Sequence, residues 1–283
     1  MSTIRKIKRV SKSVPTIEGA GVRLKRAFGN NDVALLDPFL LLDDFHSDDP
    51  DDYIQGFPWH PHRGIETITY VLHGDVEHGD SMGNMGDISS GDVQWMTAGS
   101  GIIHQEMPKG TEEGLMWGFQ LWANLPASQK MIAPRYRDVK NDTIPEITLD
   151  NGAKVKIIAG AVNGTEGPVR DIVIDPEYLD VTLPPQTAFS HATKKGHTVF
   201  AYTIDGEGHF DPQKDKLLEK ESLVIYDDGD SVNIKSADNP LRFLLISGKP
   251  LKEPVAWRGP IVMNTQEELD IAFEEYRDGT FIK

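Results

Sequence analysis

Two eleven-residue stretches, Gly64-Ile-Glu-Thr-Ile-Thr-Tyr-Val-Leu-His-Gly74 and Gly196-His-Thr-Val-Phe-Ala-Tyr-Thr-Ile-Asp-Gly206, align without a gap and keep Gly, Tyr and Gly at the same offsets. Each reads as a β-branched and aromatic run that a glycine closes, the composition of a strand entering a turn. Downstream, Gly-Asp-Val-Gln-Trp95 roughly matches Ser-Leu-Val-Ile-Tyr226. Two copies of one β unit, one in each half of the chain, are the economical explanation.

Further short runs of the same kind, Ile65–Leu72, Gly91–Met96, Leu115–Trp122, Val155–Ala161, Thr198–Ile204 and Leu241–Ser247, fall between clusters of Gly, Pro, Asn and Asp. Many short strands at such spacing indicate an all-β sandwich or barrel. Strands do not alternate with long amphipathic helices, which argues against a doubly wound α/β sheet. The clearest helix is C-terminal. Thr265 and Glu268 can form a capping box, Leu269, Ala272, Phe273 and Tyr276 share one helical face, and Gly279 ends it. A turn of helix is expected at Ala127–Met131 and a linker from Pro134 to Pro145, so the expected division is residues 1–133 and 134–283, the second part ending in the helix.

With no cysteine, the chain has no disulfides, thiolate metal sites or cysteine nucleophiles, and any metal must be held by imidazole and carboxylate. A formal charge of -15 repels phosphate backbones, which argues against direct nucleic-acid binding. There is no apolar run of about 18 residues to span a bilayer and no apolar signal core after the basic start, so a soluble, cytoplasmic protein without a membrane partner is expected. The acidic run Asp48-Asp49-Pro50-Asp51-Asp52 fits a solvated loop better than a guard at a site mouth.

His60-Pro61-His62 places two imidazoles at i and i+2, which on an extended backbone project to one face. His104-Gln105-Glu106 does the same with an imidazole and a carboxylate. On neighbouring strands roughly 5 Å apart, the four side chains can converge on one cation with bonds near roughly 2 Å. An octahedral ion held this way keeps up to two open positions, where dioxygen or a chelating substrate could bind. One His-x-His pair would carry little by itself; two same-face pairs inside a repeated β unit carry much more. Carrying the same offsets into the second copy gives Ala192, Lys194, Lys235 and Ala237, so that half is expected to lack the site, with His191, His197 and His209 as ordinary histidines. Glu66 could face the pocket or make a structural hydrogen bond, and His73 and His78 flank a Gly-Asp turn. Phe57, Trp59, Met96, Phe119 and Trp122 could wall a cavity for a flat aromatic ligand or serve as core.

The segments Phe57-Pro-Trp-His-Pro-His-Arg-Gly-Ile-Glu-Thr67, Gly91-Asp-Val-Gln-Trp-Met-Thr-Ala-Gly-Ser-Gly-Ile-Ile-His-Gln-Glu-Met107 and Asp37-Pro-Phe-Leu-Leu-Leu-Asp-Asp44 resemble the pirin family, and the resemblance covers nearly the whole chain. It implies a bicupin: two double-stranded β-helix (cupin) barrels, one non-haem metal ion in the N-terminal domain and none in the C-terminal one. The family's ligands carry over onto His60, His62, His104 and Glu106. The second motif lacks the usual cupin Pro before its Gly and is lengthened ahead of His104, as in pirins. The resemblance favours iron(II); donor chemistry alone also admits Mn, Co, Ni, Cu or Zn.

It further implies a quercetin 2,3-dioxygenase, cleaving a flavonol-like substrate with O2. The metal would acidify the 3-hydroxyl, Glu106 would take its proton as catalytic base, and ring opening would expel carbon monoxide. Other pirins are coregulators of transcription or bind metabolic enzymes, so the alternative is a non-catalytic, iron-dependent interaction protein with a protein partner. A cavity open to the metal would distinguish the enzyme from a sensor that buries its ion. A sugar-phosphate isomerase would call for convergent basic residues, and Arg63 stands there alone.

Overall fold

The first echoed stretch forms the strand Ile65–His73, buried along almost its whole length because it lies inside a seven-stranded antiparallel sheet. The order is Arg135–Val139, Val93–Thr97, Ile65–His73, Met116–Asn124, Phe39–Ser47, Val22–Phe28, Val14–Glu18. Its counterpart, Thr198–Asp205, has the same place in a second sheet ordered Ile7–Lys12, Ser222–Tyr226, Thr198–Asp205, Leu241–Gly248, Glu177–Leu183, Lys154–Ala159, Glu146–Thr148. The computed structural model describes residues 3–211 and 216–283.

A four-stranded sheet completes each half. In the first it runs Phe57–His62, Ile102–Lys109, Asp75–Asp80, Met85–Ile88, and in the second Ala188–Ala192, Ser231–Ser236, Glu207–His209, Leu217–Glu219. Apolar residues of the facing sheets meet in each half: Leu24, Phe45 and Val71 with Val76 and Ile88 in one, and Val181, Leu245 and Phe243 with Phe189, Val232 and Ile234 in the other. Alternating strand residues supply these cores, as expected of stacked sheets. The class is the all-β cupin fold, with each expected barrel an open two-sheet sandwich rather than a closed cylinder.

The units trade their ends relative to the expected division at residue 133. One comprises Val14–Asn141 with Leu251–Lys283, and the other Met1–Ser13 with Asp142–Pro250. Strand pairing is the reason. Ile7–Lys12 pairs with Ser222–Tyr226, whereas the expected linker contains Arg135–Val139, which pairs with Val93–Thr97 as the edge of the first sheet. The helix expected at Ala127–Met131 is a short 3-10 turn, Ala127–Gln129.

The C-terminal helix, Gln266–Arg277, has the expected capping box: Thr265 Oγ1 accepts from Glu268 N at 3.2 Å, and Glu268 Oε2 accepts from Thr265 N at 3.0 Å. Leu269 and Ala272 bury against Ile261, Met263 and Phe281, Phe273 is partly buried there, and Tyr276 is exposed. The acidic run forms an exposed 3-10 turn, Pro50–Asp52, capped by Asp49.

Candidate metal centre

The Phe57–His62 strand pairs antiparallel with Ile102–Lys109 and sets His104 directly opposite His60. His62, two residues on, projects to the same face as His60. A nitrogen from each of His60, His62 and His104 falls within 4.8 Å of the others, the one such donor group found among the described residues. His62 and His104 are each 1% exposed. Burial, then the neighbouring imidazoles, holds both well below the usual histidine range, so both rings are neutral near pH 7.

The hydrogen bonds fix which nitrogens face inward. His60 Nδ1 lies 2.9 Å from the Pro58 carbonyl and His62 Nδ1 lies 3.1 Å from the Pro260 carbonyl. A carbonyl only accepts, so both Nδ1 atoms carry a proton, and the neutral His62 ring presents a bare lone pair at Nε2. Those two Nε2 atoms are 3.0 Å apart. At that distance the two nitrogens need a proton or a metal ion between them. Neither ring nitrogen of buried His104 has a partner, which elsewhere in a protein core would be costly. The donor set therefore fits a cation of the N/O-preferring kind.

Glu106 lies nearby but outside the 4.8 Å group. The ladder is irregular between His104 and Glu106, and across the other edge Glu106 faces His78. Its carboxylate, 3% exposed as a residue, accepts from Thr69 Oγ1 at 3.0 Å and from Gln120 Nε2 at 3.2 and 3.1 Å. The Gln120 amide is oriented in turn by the Trp122 indole N–H, which donates to Gln120 Oε1 at 3.0 Å. Gln120 and Thr69 are functional neighbours that the sequence reading missed; only their place on strands facing Ile102–Lys109 marks them.

Glu66 points away from the cluster. Strand alternation puts it on the opposite face from Thr69, where it accepts from Trp95 Nε1 at 3.0 Å and Thr97 Oγ1 at 2.7 Å. Burial raises its carboxyl above the usual range. His73 is exposed beside Trp117, and His78 is buried with its ring stacked on Tyr136 at 5.7 Å. A cavity of about 540 Å³ opens on His60 and His62, lined also by Phe57, Trp122, Trp257 and the Arg26–Asp43 ion pair. Of the five residues expected in a wall, Phe57 and Trp122 line it; Met96 and Phe119 are core and Trp59 is solvent-exposed.

Sheet register revises the equivalent positions in the second half. His191 pairs with Val232 as His60 pairs with His104, and Gly208 pairs with Ser236 as Val76 pairs with Pro108. With Gly206 matched to Gly74, the Gly208–Ser236 register makes Val232 the counterpart of His104 and Ile234 that of Glu106, and His191, opposite Val232, is then that of His60. The gapless offsets to Ala192, Lys194, Lys235 and Ala237 are thus displaced by one to three residues. Val232 and Ile234 have no donor atom and are buried in the core. His191 instead pairs with Glu177 at 2.9 Å.

Two tandem cupins, the first with two of its three clustered imidazoles lining an aromatic-walled cavity, define a bicupin. Residues 21–123 match the pirin family model and residues 178–282 match the model of the pirin C-terminal cupin domain. The chain belongs to the pirin family. It is 42% identical over 279 residues to a pirin-like protein of Caulobacter vibrioides, covering 98% of this chain and 99% of that one. It is 42% identical over 267 residues to human pirin, covering 92% and 88%. A quercetin 2,3-dioxygenase structure from Acinetobacter baumannii superposes with a TM-score of 0.90 at 31% identity, covering 99% of both chains.

Proposed function

We propose that the chain is a metal-dependent dioxygenase that opens the heterocycle of a quercetin-like flavonol with O2, its ion held by His60, His62, His104 and Glu106. The observation that carries this is the cavity, which reaches His60 and His62 directly and is walled by Phe57, Trp122 and Trp257. An ion that only senses redox state needs no such opening, whereas a flat aromatic substrate does. Likeness to the Acinetobacter dioxygenase over the full chain supports the same activity.

When bound, the ion, iron(II) by family resemblance, supplies a Lewis acid for a chelating hydroxyl and a redox partner for dioxygen. Trp122 and Trp257, with ring centroids 6.0 Å apart, present faces and edges that orient a planar ring system. Glu106 takes the proton of the substrate hydroxyl, and Thr69 and Gln120 hold its carboxylate in place for that transfer. Gln120 couples the base to the wall, because its amide is pinned by the indole that the substrate touches. We also place the protein in the cytoplasm and assign it no nucleic-acid or membrane partner, in keeping with its charge of -15.

The test loads the protein with iron without air, adds quercetin, admits air and follows oxygen uptake and carbon monoxide release beside a His104→Ala control. Turnover that disappears in the control is expected. A fully loaded protein that binds quercetin yet consumes no oxygen would sink the assignment in favour of the regulatory alternative.

A further inference from the structure

The segment Leu251–Lys283 folds with the first cupin, and one of its backbone atoms touches the imidazole cluster: the Pro260 carbonyl accepts from His62 Nδ1 at 3.1 Å. Two buried cations hold that segment in place. Arg63, 2% exposed, donates from Nε to the Ser100 carbonyl at 2.7 Å, from Nη1 to Glu275 Oε2 at 2.6 Å and from Nη2 to the Phe281 carbonyl at 2.8 Å. Its guanidinium also stacks 4.2 Å from the centre of the Phe281 ring. Lys130, 1% exposed, spends its ammonium on the Val262 carbonyl at 2.8 Å, the Gly64 carbonyl at 2.8 Å and Asn124 Oδ1 at 2.7 Å. Val262 N closes the set by donating to the Arg63 carbonyl at 3.1 Å.

Burying a guanidinium and an ammonium is expensive: burial lowers Lys130 to about 7, and it is the three oxygen acceptors around Nζ, which need all three protons, that favour the charged form. Apolar side chains would hold two elements together at less cost. What the cations add is directional attachment to backbone carbonyls. Arg63 and Gly64 directly follow His62, and Val262 follows Pro260 by two residues, so the clamp brackets the His62–Pro260 hydrogen bond. His60 differs: its Nδ1 partner is the Pro58 carbonyl of its own strand.

We propose that Arg63 and Lys130 are positioning residues of the metal centre, clamping the C-terminal segment so that the Pro260 carbonyl fixes the Nδ1–H tautomer of His62 and leaves its Nε2 to the ion. The inference rests on the metal-centre assignment above for its purpose, though not for its first readout. His60 serves as the internal reference, since no part of the segment fixes its tautomer.

The experiment records nitrogen-15 spectra of the histidine rings in the metal-free, full-length protein and in Arg63→Met, Lys130→Met and Glu275→Ala, then measures cobalt(II) affinity by competition with a chelator. In the parent both His60 and His62 are expected as Nδ1–H. In the variants His62 becomes a mixture of tautomers while His60 keeps its own, and cobalt affinity falls about tenfold or more, the usual effect of losing a ligand's outer partner. Should Arg63→Met not fold, Lys130→Met and Glu275→Ala carry the test, Glu275 being a partly exposed helix residue. A His62 tautomer unchanged in those folded variants, or a His60 change as large as that of His62, overturns the proposal as a mere effect on folding. Because tautomers are read without metal, a parent protein that binds no cobalt contradicts the metal-centre assignment and leaves the clamp to be judged on the spectra.

Discussion

Acidifying the metal-free protein should destabilise it through His62 and His104, and His104→Ala should remove half of that effect. Both rings are buried, and burial followed by the adjacent imidazoles holds them well below 6.5, the value they regain on unfolding. With the folded-state values depressed, the unfolded chain binds the extra protons. The associated stability is therefore complete above pH 6.5 and is lost as pH falls toward the folded values. If the folded rings stay neutral, lowering pH from 7.5 to 5.5 removes on the order of 1 kcal/mol per ring and on the order of twice that for the pair. Asp43 and Glu66, whose carboxyls burial raises, act in the opposite sense, because their folded forms bind the proton more readily. They are common to both proteins and cancel in the comparison. Urea unfolding at the two pH values, with chelator present, gives the difference directly. The parent should lose on the order of 1 kcal/mol more than His104→Ala. Losses that agree within about 0.3 kcal/mol, the usual limit of additivity, would refute the claim that His104 is buried neutral with nothing to bond to.

Gln120→Leu should lower the urea stability of the metal-free protein by about 1.5–3 kcal/mol, since it strips a buried carboxylate of hydrogen bonds from the amide and leaves it only the Thr69 hydroxyl; a loss below about 0.5 kcal/mol would mean Glu106 is solvated some other way. Gly64→Ala should cost at least about 2 kcal/mol, because Gly64 has φ +78° and a Cβ there would run into the Val262 carbonyl; its thermal midpoint and cobalt content should both drop, and a parent-like midpoint would contradict that contact. Trp122→Ala should weaken anaerobic quercetin binding about tenfold or more in a titration, a larger loss than that in cobalt affinity, since the indole walls the cavity itself but reaches the metal centre only through Gln120 and its edge contact with His62. Unchanged quercetin binding would put the ligand elsewhere.

The strands that bear the imidazole cluster were legible because extended backbone has a period of two, so His60-Pro61-His62 and His104-Gln105-Glu106 announce their shared faces without any tertiary information. Their pairing was only a condition of that reading, and the antiparallel register that sets His104 opposite His60 meets it. The second half misled for a local reason: the strand after His191 and the strand around Val232 do not keep the spacing of the first half, and a gapless offset cannot register such slips. The exchange of chain ends was hidden because an edge strand such as Ile7–Lys12 fits the edge of either seven-stranded sheet by composition, and its partner is set by long-range pairing. Glu66 and Glu106 look alike in sequence, yet opposite faces give one an indole and a threonine on the far side of the sheet and the other a place beside the cluster. Pro260, Arg63 and Lys130 carried no motif at all, since the clamp works through backbone carbonyls that every residue has.

The central claim is that one cation belongs to the imidazole cluster of the first cupin. Metal content per chain after loading with excess iron(II) or cobalt(II) and removal of the unbound ion tests it most directly, with His62→Ala and His104→Ala measured alongside and shown to be folded by far-ultraviolet circular dichroism. One ion per chain in the parent and close to none in either variant is the expected result. Full retention in the folded variants, or two ions per chain in the parent, would contradict it.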